Sequence, residues 1–177
     1  MKIKKIIKSY KFSTIILSLI CVFLIYSLIN MKYRENVLIF KNLNYGLDSI
    51  HYILEDYHKK INNDNDVDSK IDTVKRTILK IDFCSESLDY GIINKKFNRP
   101  IEGFVSKLIA IDSDKLKENH DYLNEVLEFL NEAYFVSSKI HEISLEDFYK
   151  DKMLDIFRLE LSDEITNYLN EINSLKM

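Results

Sequence analysis

Polar and apolar positions alternate along this chain in two quite different ways. From Phe12 to Ile29 they do not alternate at all: 18 residues pass without a charge. That length suits a transmembrane helix, and a spanning segment is helical because only a helix satisfies its own backbone groups in lipid. Phe12, Leu17, Cys21 and Ile29 mark this expected membrane anchor. After the run, apolar residues recur in steps of three and four at Phe40, Leu43, Leu47, Ile50, Leu54, Tyr57 and Ile61. This is the stripe of a helix packed on others, and it predicts a helix over about 31–62, continuous with the anchor. Gly46 lies inside it and weakens it slightly.

The run Asn62 to Asp68 ends that helix, because Asn and Asp favour turns. Ser69 with Asp72 reads as a capping box for a second helix. Its stripe is Ile71, Val74, Ile78, Ile81, Ser85 and Leu88, with Gly91 as its stop. Ile92 to Pro100 fits neither helical nor strand period and reads as a linker, with Lys95, Lys96 and Arg99 as a local basic cluster. Pro100 opens a third helix lined by Ile101, Phe104, Val105, Leu108 and Ile109. Asp112-Ser113-Asp114 offers fresh caps, so 100–111 is read as a possible separate helix. Leu116, Leu123, Leu127, Leu130, Tyr134 and Ile140 carry the pattern to about 142. Ser144 with Asp147 suggests another capping box, opening a last helix through Leu145, Tyr149, Met153, Phe157, Leu161, Ile165, Tyr168, Ile172 and Leu175. The expected fold is all-α: an N-terminal transmembrane helix running into an antiparallel four-helix, or five-helix, bundle.

Charge adds a direction. Lys2, Lys4, Lys5, Lys8 and Lys11 precede the apolar run with no acid among them. Basic flanks stay on the cytoplasmic side. The expected organisation is therefore a cytoplasmic basic tail over 1–11, the span over 12–29, and an extracytoplasmic bundle over 31–177. A cleaved signal peptide is the rival, but its apolar core is usually ~7–15 residues and ends at a small-residue site. Tyr26 to Asn30 contains no such site, and Ile20 is bulky where a lipoprotein signal before Cys21 needs a small residue. The net charge of −3 with a tail of +5 leaves −8 for residues 31–177, which argues against nucleic acid or anionic lipid as a partner of that segment. Three glycines and one proline leave few breakers, in keeping with long helices. Cys84 stands alone beyond the span, so packing rather than a disulfide is expected to hold the bundle.

Candidate chemistry is sparse. His51, Glu55 and His58 share a helical flank, and Glu55 with His58 has the Glu-x-x-His spacing of di-iron bundles. A second such motif is missing, since Lys117 and Ser138 stand three residues before His120 and His141. His120 and His141 lie ~31 Å apart along a helix and cannot both join one site. Amphipathic histidines beside a core stripe are the simpler reading. Asp64, Asp66 and Asp68 occupy positions 1, 3 and 5 of an EF-hand-like loop, with Asp72 at position 9. Ser69 replaces the turn glycine and Lys75 the closing glutamate, so this is a weak calcium candidate beside the plainer reading of turn and cap. Gly-rich phosphate loops, Cys-x-x-Cys and Gly-x-Ser-x-Gly are all lacking, and neither enzymatic activity nor a cofactor is expected.

The layout is similar to the outer ligand-binding bundles of bacterial chemoreceptors and sensor kinases, in which an anchor helix runs into a four-helix bundle. That similarity implies a ligand-binding sensory bundle. An inner tail of eleven residues carries no signalling domain, which favours the other expectation: a structural or accessory interaction subunit of an envelope complex. Its partners would be membrane lipid along residues 12–29 and a protein.

Overall fold

A computed structural model describes residues 2–91, 100–151 and 159–177. Helix dominates. The elements are α1 (Lys2–Asn63), α2 (Val67–Gly91), α3 (Glu102–Ile109), α4 (Lys115–Glu118), α5 (His120–His141), β1 (Tyr149–Asp151), β2 (Leu159–Leu161) and α6 (Asp163–Ser174). The chain divides into two compact units. One comprises residues 1–38 with 151–159, the other 39–150 with 160–177.

In the first unit the described part of the apolar run is helical and uncovered. Phe12 is 66% exposed and Leu17 62%, Cys21 is exposed and Ile29 half-buried. The most apolar 18 residues have a mean hydropathy of 2.5, and none is buried. One helix at the N-terminus is therefore long and apolar enough to cross a membrane. As expected, α1 runs without a break from the apolar run into the first stripe.

In the second unit that stripe is core. Phe40, Leu43, Leu47, Ile50, Leu54 and Tyr57 are all buried, because steps of three and four hold them on one face of α1. Three residues turn the chain into α2. Asp66 caps it, accepting the Ser69 amide at 3.0 Å. This corrects the expected cap at Ser69: its amide is already in the first turn, and its hydroxyl donates back to Asp64. The α2 stripe buries Ile71, Val74, Ile81 and Leu88, while Ile78 and Ser85 are half-buried. Lys80 reaches Asp56 of α1 at 3.6 Å and Leu88 meets Gly46, so the two helices run antiparallel.

Ile101 cannot cap α3, because it has no side-chain acceptor. The cap comes from α6. Asn173 Oδ1 accepts the Phe104 amide at 3.0 Å, and its Nδ2 donates to the Pro100 and Leu169 carbonyls at 2.7 and 2.8 Å. Lys107 of α3 donates in return to the Asn173 and Leu175 carbonyls at the end of α6, at 2.7 and 2.5 Å. Each helix thus satisfies orphan backbone groups of the other. Gly103 leaves the room: a Cβ there would sit 3.1–3.3 Å from Asn173.

Helix α3 is separate, as the aspartates at 112–114 suggested. Asp112 Oδ1 accepts the amides of Asp114 and Lys115 at 2.9 and 3.3 Å. Of the residues expected to line α3's core face, Ile101, Phe104, Val105 and Leu108 are buried, but Ile109 is 60% exposed. Asn119 splits α4 from α5 by accepting the Asp121 and Tyr122 amides at 3.0 and 3.1 Å. The α5 core face is Leu123, Val126, Phe129, Leu130, Ala133, Val136, Ser137 and Ile140.

The last expected helix needs the largest correction. Ser144 and Asp147 do exchange hydrogen bonds, at 2.7 and 3.3 Å, but they close a turn. Residues 149–151 then pair with 159–161 as a two-stranded sheet, an addition to the all-α expectation. Strands of three residues, YKD and LEL, are too short to display a period of two, so the apolar stripe alone did not separate strand from helix. Among the described residues of this stretch, helix is found from Asp163, capped by Ser162, whose Oγ accepts the Ile165 amide at 3.3 Å. The expectations for Met153 and Phe157, and for the basic cluster at 95–99, lie outside the described residues.

Candidate functional site: an imidazole and tyrosine ladder between α1 and α5

His51 and His58 are seven residues apart, two turns along one flank of α1. On α5, Tyr134, Ser137 and His141 share a flank by steps of three and four. The helices run antiparallel, so the two flanks meet rung against rung. Asp48 faces His141, His51 faces Ser137 and His58 faces Asn131.

The rings stack along the seam. His141 lies on His51 with centroids 4.5 Å apart and planes 16° from parallel. His51 lies 5.9 Å from Tyr134 at 12°, and His58 covers Tyr134 at 4.4 Å and 18°. Tyr52 and Phe135 close the outer ends by edge contacts to His141 and His58, at 5.2 and 5.9 Å. Offset and edge arrangements of this kind suit the quadrupoles of the rings.

Each histidine is fixed through Nδ1. His141 Nδ1 donates to Asp48 Oδ1 at 2.8 Å. His58 Nδ1 donates to Asn131 Oδ1 at 2.7 Å, while its Nε2 accepts from Asn62 at 3.0 Å. Ser137 gives its own proton to the Tyr134 carbonyl at 2.8 Å, so its oxygen accepts from His51 Nδ1 at 3.2 Å. These partners assign a proton to Nδ1 of His51, and a neutral, Nδ1-protonated ring to His58.

Burial sets the electrostatics. His51 is only 7% exposed and Ser137 4%. Burial, and then the neighbouring His141, push the His51 pKa below its usual value; the Glu55, Asp48 and Glu142 carboxylates oppose this without reversing it. Glu55 is itself held below the usual carboxylate range by its hydrogen bond to Lys59. Tyr57, beneath the seam, donates to the Leu127 carbonyl at 3.2 Å, and burial raises its phenol well above the ordinary value.

The sequence grouped His51, Glu55 and His58, and the structure instead joins His51 and His58 to α5 while Glu55 turns to Lys59. His141 enters the ladder, and His120 stays exposed at the start of α5. Face-to-face imidazoles send their in-plane lone pairs side by side, not towards one point. Among the described residues no group of three His, Cys, Asp or Glu side chains is arranged to hold a metal ion. Asn131, Tyr134 and Ser137 were not recognised as ladder members. The antiparallel pairing of the two flanks was the available signal.

The calcium candidates serve the turn and its neighbours. Asp64 accepts the Asp66 amide at 3.0 Å and the Ser69 hydroxyl, which lower its pKa with the hydroxyl as the larger cause. Asp66 caps α2, Asp68 is exposed, and Asp72 pairs with Arg76 at 2.7 Å. A separate cleft of about 500 Å³ is lined at the α2–α3 side by Asp82, Ser85, Glu86, Leu88, Ile101 and Val105, among others.

Fold and site together define a helical protein with one N-terminal helix suited to spanning a membrane. The chain matches no protein-family model, no curated protein and no solved structure.

Proposed function

We propose that this chain is a single-pass membrane protein whose residues 31–177 form a helical bundle acting as a structural or accessory interaction subunit of an envelope complex, without enzymatic activity. Its N-terminus is cytoplasmic, its bulk extracytoplasmic, and lipid covers residues 12–29. The observation that carries this reading is the dual character of α1. No described residue of its apolar run is buried, while its continuation supplies the core stripe from Phe40 to Tyr57. One helix thus carries both the apolar run and the first core stripe. Exposed Tyr45, Tyr52 and Phe135, on or beside the α1–α5 seam, suit a protein partner, because aromatic side chains are enriched at interfaces. Crosslinking in native membranes followed by purification tests the reading: one stoichiometric protein partner supports it, and recovery of the chain alone counts against it.

The α2–α3 cleft supports a second reading, a ligand-binding sensory bundle, since its volume suits a small molecule. A small ligand that raises the Tm of the purified protein, and loses this effect in a Glu86→Gln, Ser85→Val variant, favours that reading over the first.

A further inference from the structure

We propose that the stacked pair His51–His141 is a proton-operated catch between α1 and α5, closed when His51 is neutral and opened when it is charged. The geometry carries the inference. His51 is almost completely enclosed, lies face to face on a second imidazole at 4.5 Å, and spends its Nδ1 proton on Ser137. A second proton would go to Nε2 and place a full charge in this enclosure, which is costly unless a partner or water meets it. The groups facing His51 are Asp48, Tyr52 and Glu55 from α1, Tyr134, Ser137 and His141 from α5, and Glu142 just beyond α5. The carboxylates are the possible counter-ions, but two are engaged elsewhere: Asp48 with His141 at 2.8 Å and Glu55 with Lys59 at 2.7 Å. A charge on His141 would oppose one on His51 directly, since like charges at this distance repel.

A charged His51 is therefore hydrated most readily by leaving its rung. That removes a stacking face from both His141 and Tyr134 and breaks the bond to Ser137, loosening the seam at its centre. Histidine changes charge across the range in which many physiological compartments differ, so the catch responds to modest acidification. It is intrinsic to this chain and needs no partner, so its test is independent of the interaction reading.

Hydrogen exchange of the full chain in lipid nanodiscs tests it, at about pH 7.5 and about pH 5.5, either side of the ordinary histidine value, with times scaled for the pH dependence of chemical exchange. The expected result is a loss of protection at acid pH over residues 48–58 and 131–141, with residues 103–108 and 165–173 unchanged. His51→Phe keeps a stacking ring without a titratable nitrogen, and should abolish the loss. Equal protection at both pH values in the wild type, or a loss that persists in His51→Phe, overturns the proposal. Should that variant not fold, the imidazole resonances of wild-type His51 decide: a midpoint below 6.5 that coincides with seam opening supports the catch, and any other midpoint overturns it.

Discussion

Leu88 occupies the space that a side chain at Gly46 would need. A Cβ built on Gly46 would lie 2.0 Å from Leu88 Cδ2 and 2.9 Å from its Cγ. Gly46 is therefore more than a weak point in α1: it lets α2 approach.

Gly46→Ala sets two effects against each other. Alanine gains about 1 kcal/mol of helix propensity, but forcing Leu88 from a buried position costs typically ~1–3 kcal/mol. The expected outcome is net destabilisation in denaturant unfolding. In a double-mutant cycle, Leu88→Ala should offset much of the Gly46→Ala cost, because the two share one space. Additive effects would show that the close approach is not the cause.

Asp66→Ala should destabilise the fold by about 1 kcal/mol through loss of the α2 cap. Asp72→Ala should change stability by less, since its exposed i,i+4 pair with Arg76 is worth ~0.3–0.5 kcal/mol. The reverse order would return the cap to the Ser69–Asp72 box.

Asn173→Ala removes three hydrogen bonds at once and leaves the start of α3 without its acceptor. The expected loss is ~2–3 kcal/mol, the scale set by an unsatisfied, partly buried group. Asn173→Asp keeps the acceptor but not the two donated bonds, and should fall between wild type and alanine. Equal stability of all three proteins would refute the clasp between α3 and α6.

Two pH limbs are expected in the unfolding free energy. The folded pKa of His51 is lowered, so the unfolded chain takes up the proton first; stability is full above about 6.5 and falls as the pH drops below it. The folded pKa values of Asp64 and Asp112 are lowered by hydroxyl and amide donors, so their contribution is present above about 3.8 and is lost as the pH falls through the folded values. His51→Phe should flatten the first limb only, and Asp64→Asn with Asp112→Asn should reduce the second only, leaving the share of Glu55 and Asp56, whose carboxyl pKa values are also lowered by lysine partners.

Protease added outside intact cells or protoplasts should digest residues 31–177. Protection of that segment would reverse the proposed orientation, and a mature N-terminus near residue 30 would show that the apolar run is removed.

Repetition decided what the sequence disclosed. Leu54, Val74 and Leu130 belong to long runs of one period, and each is buried as that period requires. The long apolar helix was legible from its lack of charge alone. Tyr149 and Leu161 were read as parts of one helix because their spacing fits a helical stripe, yet both lie in strands, and no Gly or Pro between 144 and 163 marked the change. The ladder was half visible. His51 and His58 stood out on one helix, but their partners become meaningful only when α5 is laid antiparallel to α1. Asn173 was hidden for the same reason: a cap lent by a distant helix leaves no local signature beside Ile101.

That loan also orders events during synthesis. Helix α3 has eight residues, too few to hold together alone in water. Its amide acceptor is made 69 positions after the residue it serves. As the chain grows from its N-terminus, α1 and α2 can pair while α3 still lacks its cap, and only the arrival of Asn173 completes it. The ribosome thus delivers the apolar run well before the clasp. Through that interval, the surface of α2 that packs on α3 stays open to whatever meets it.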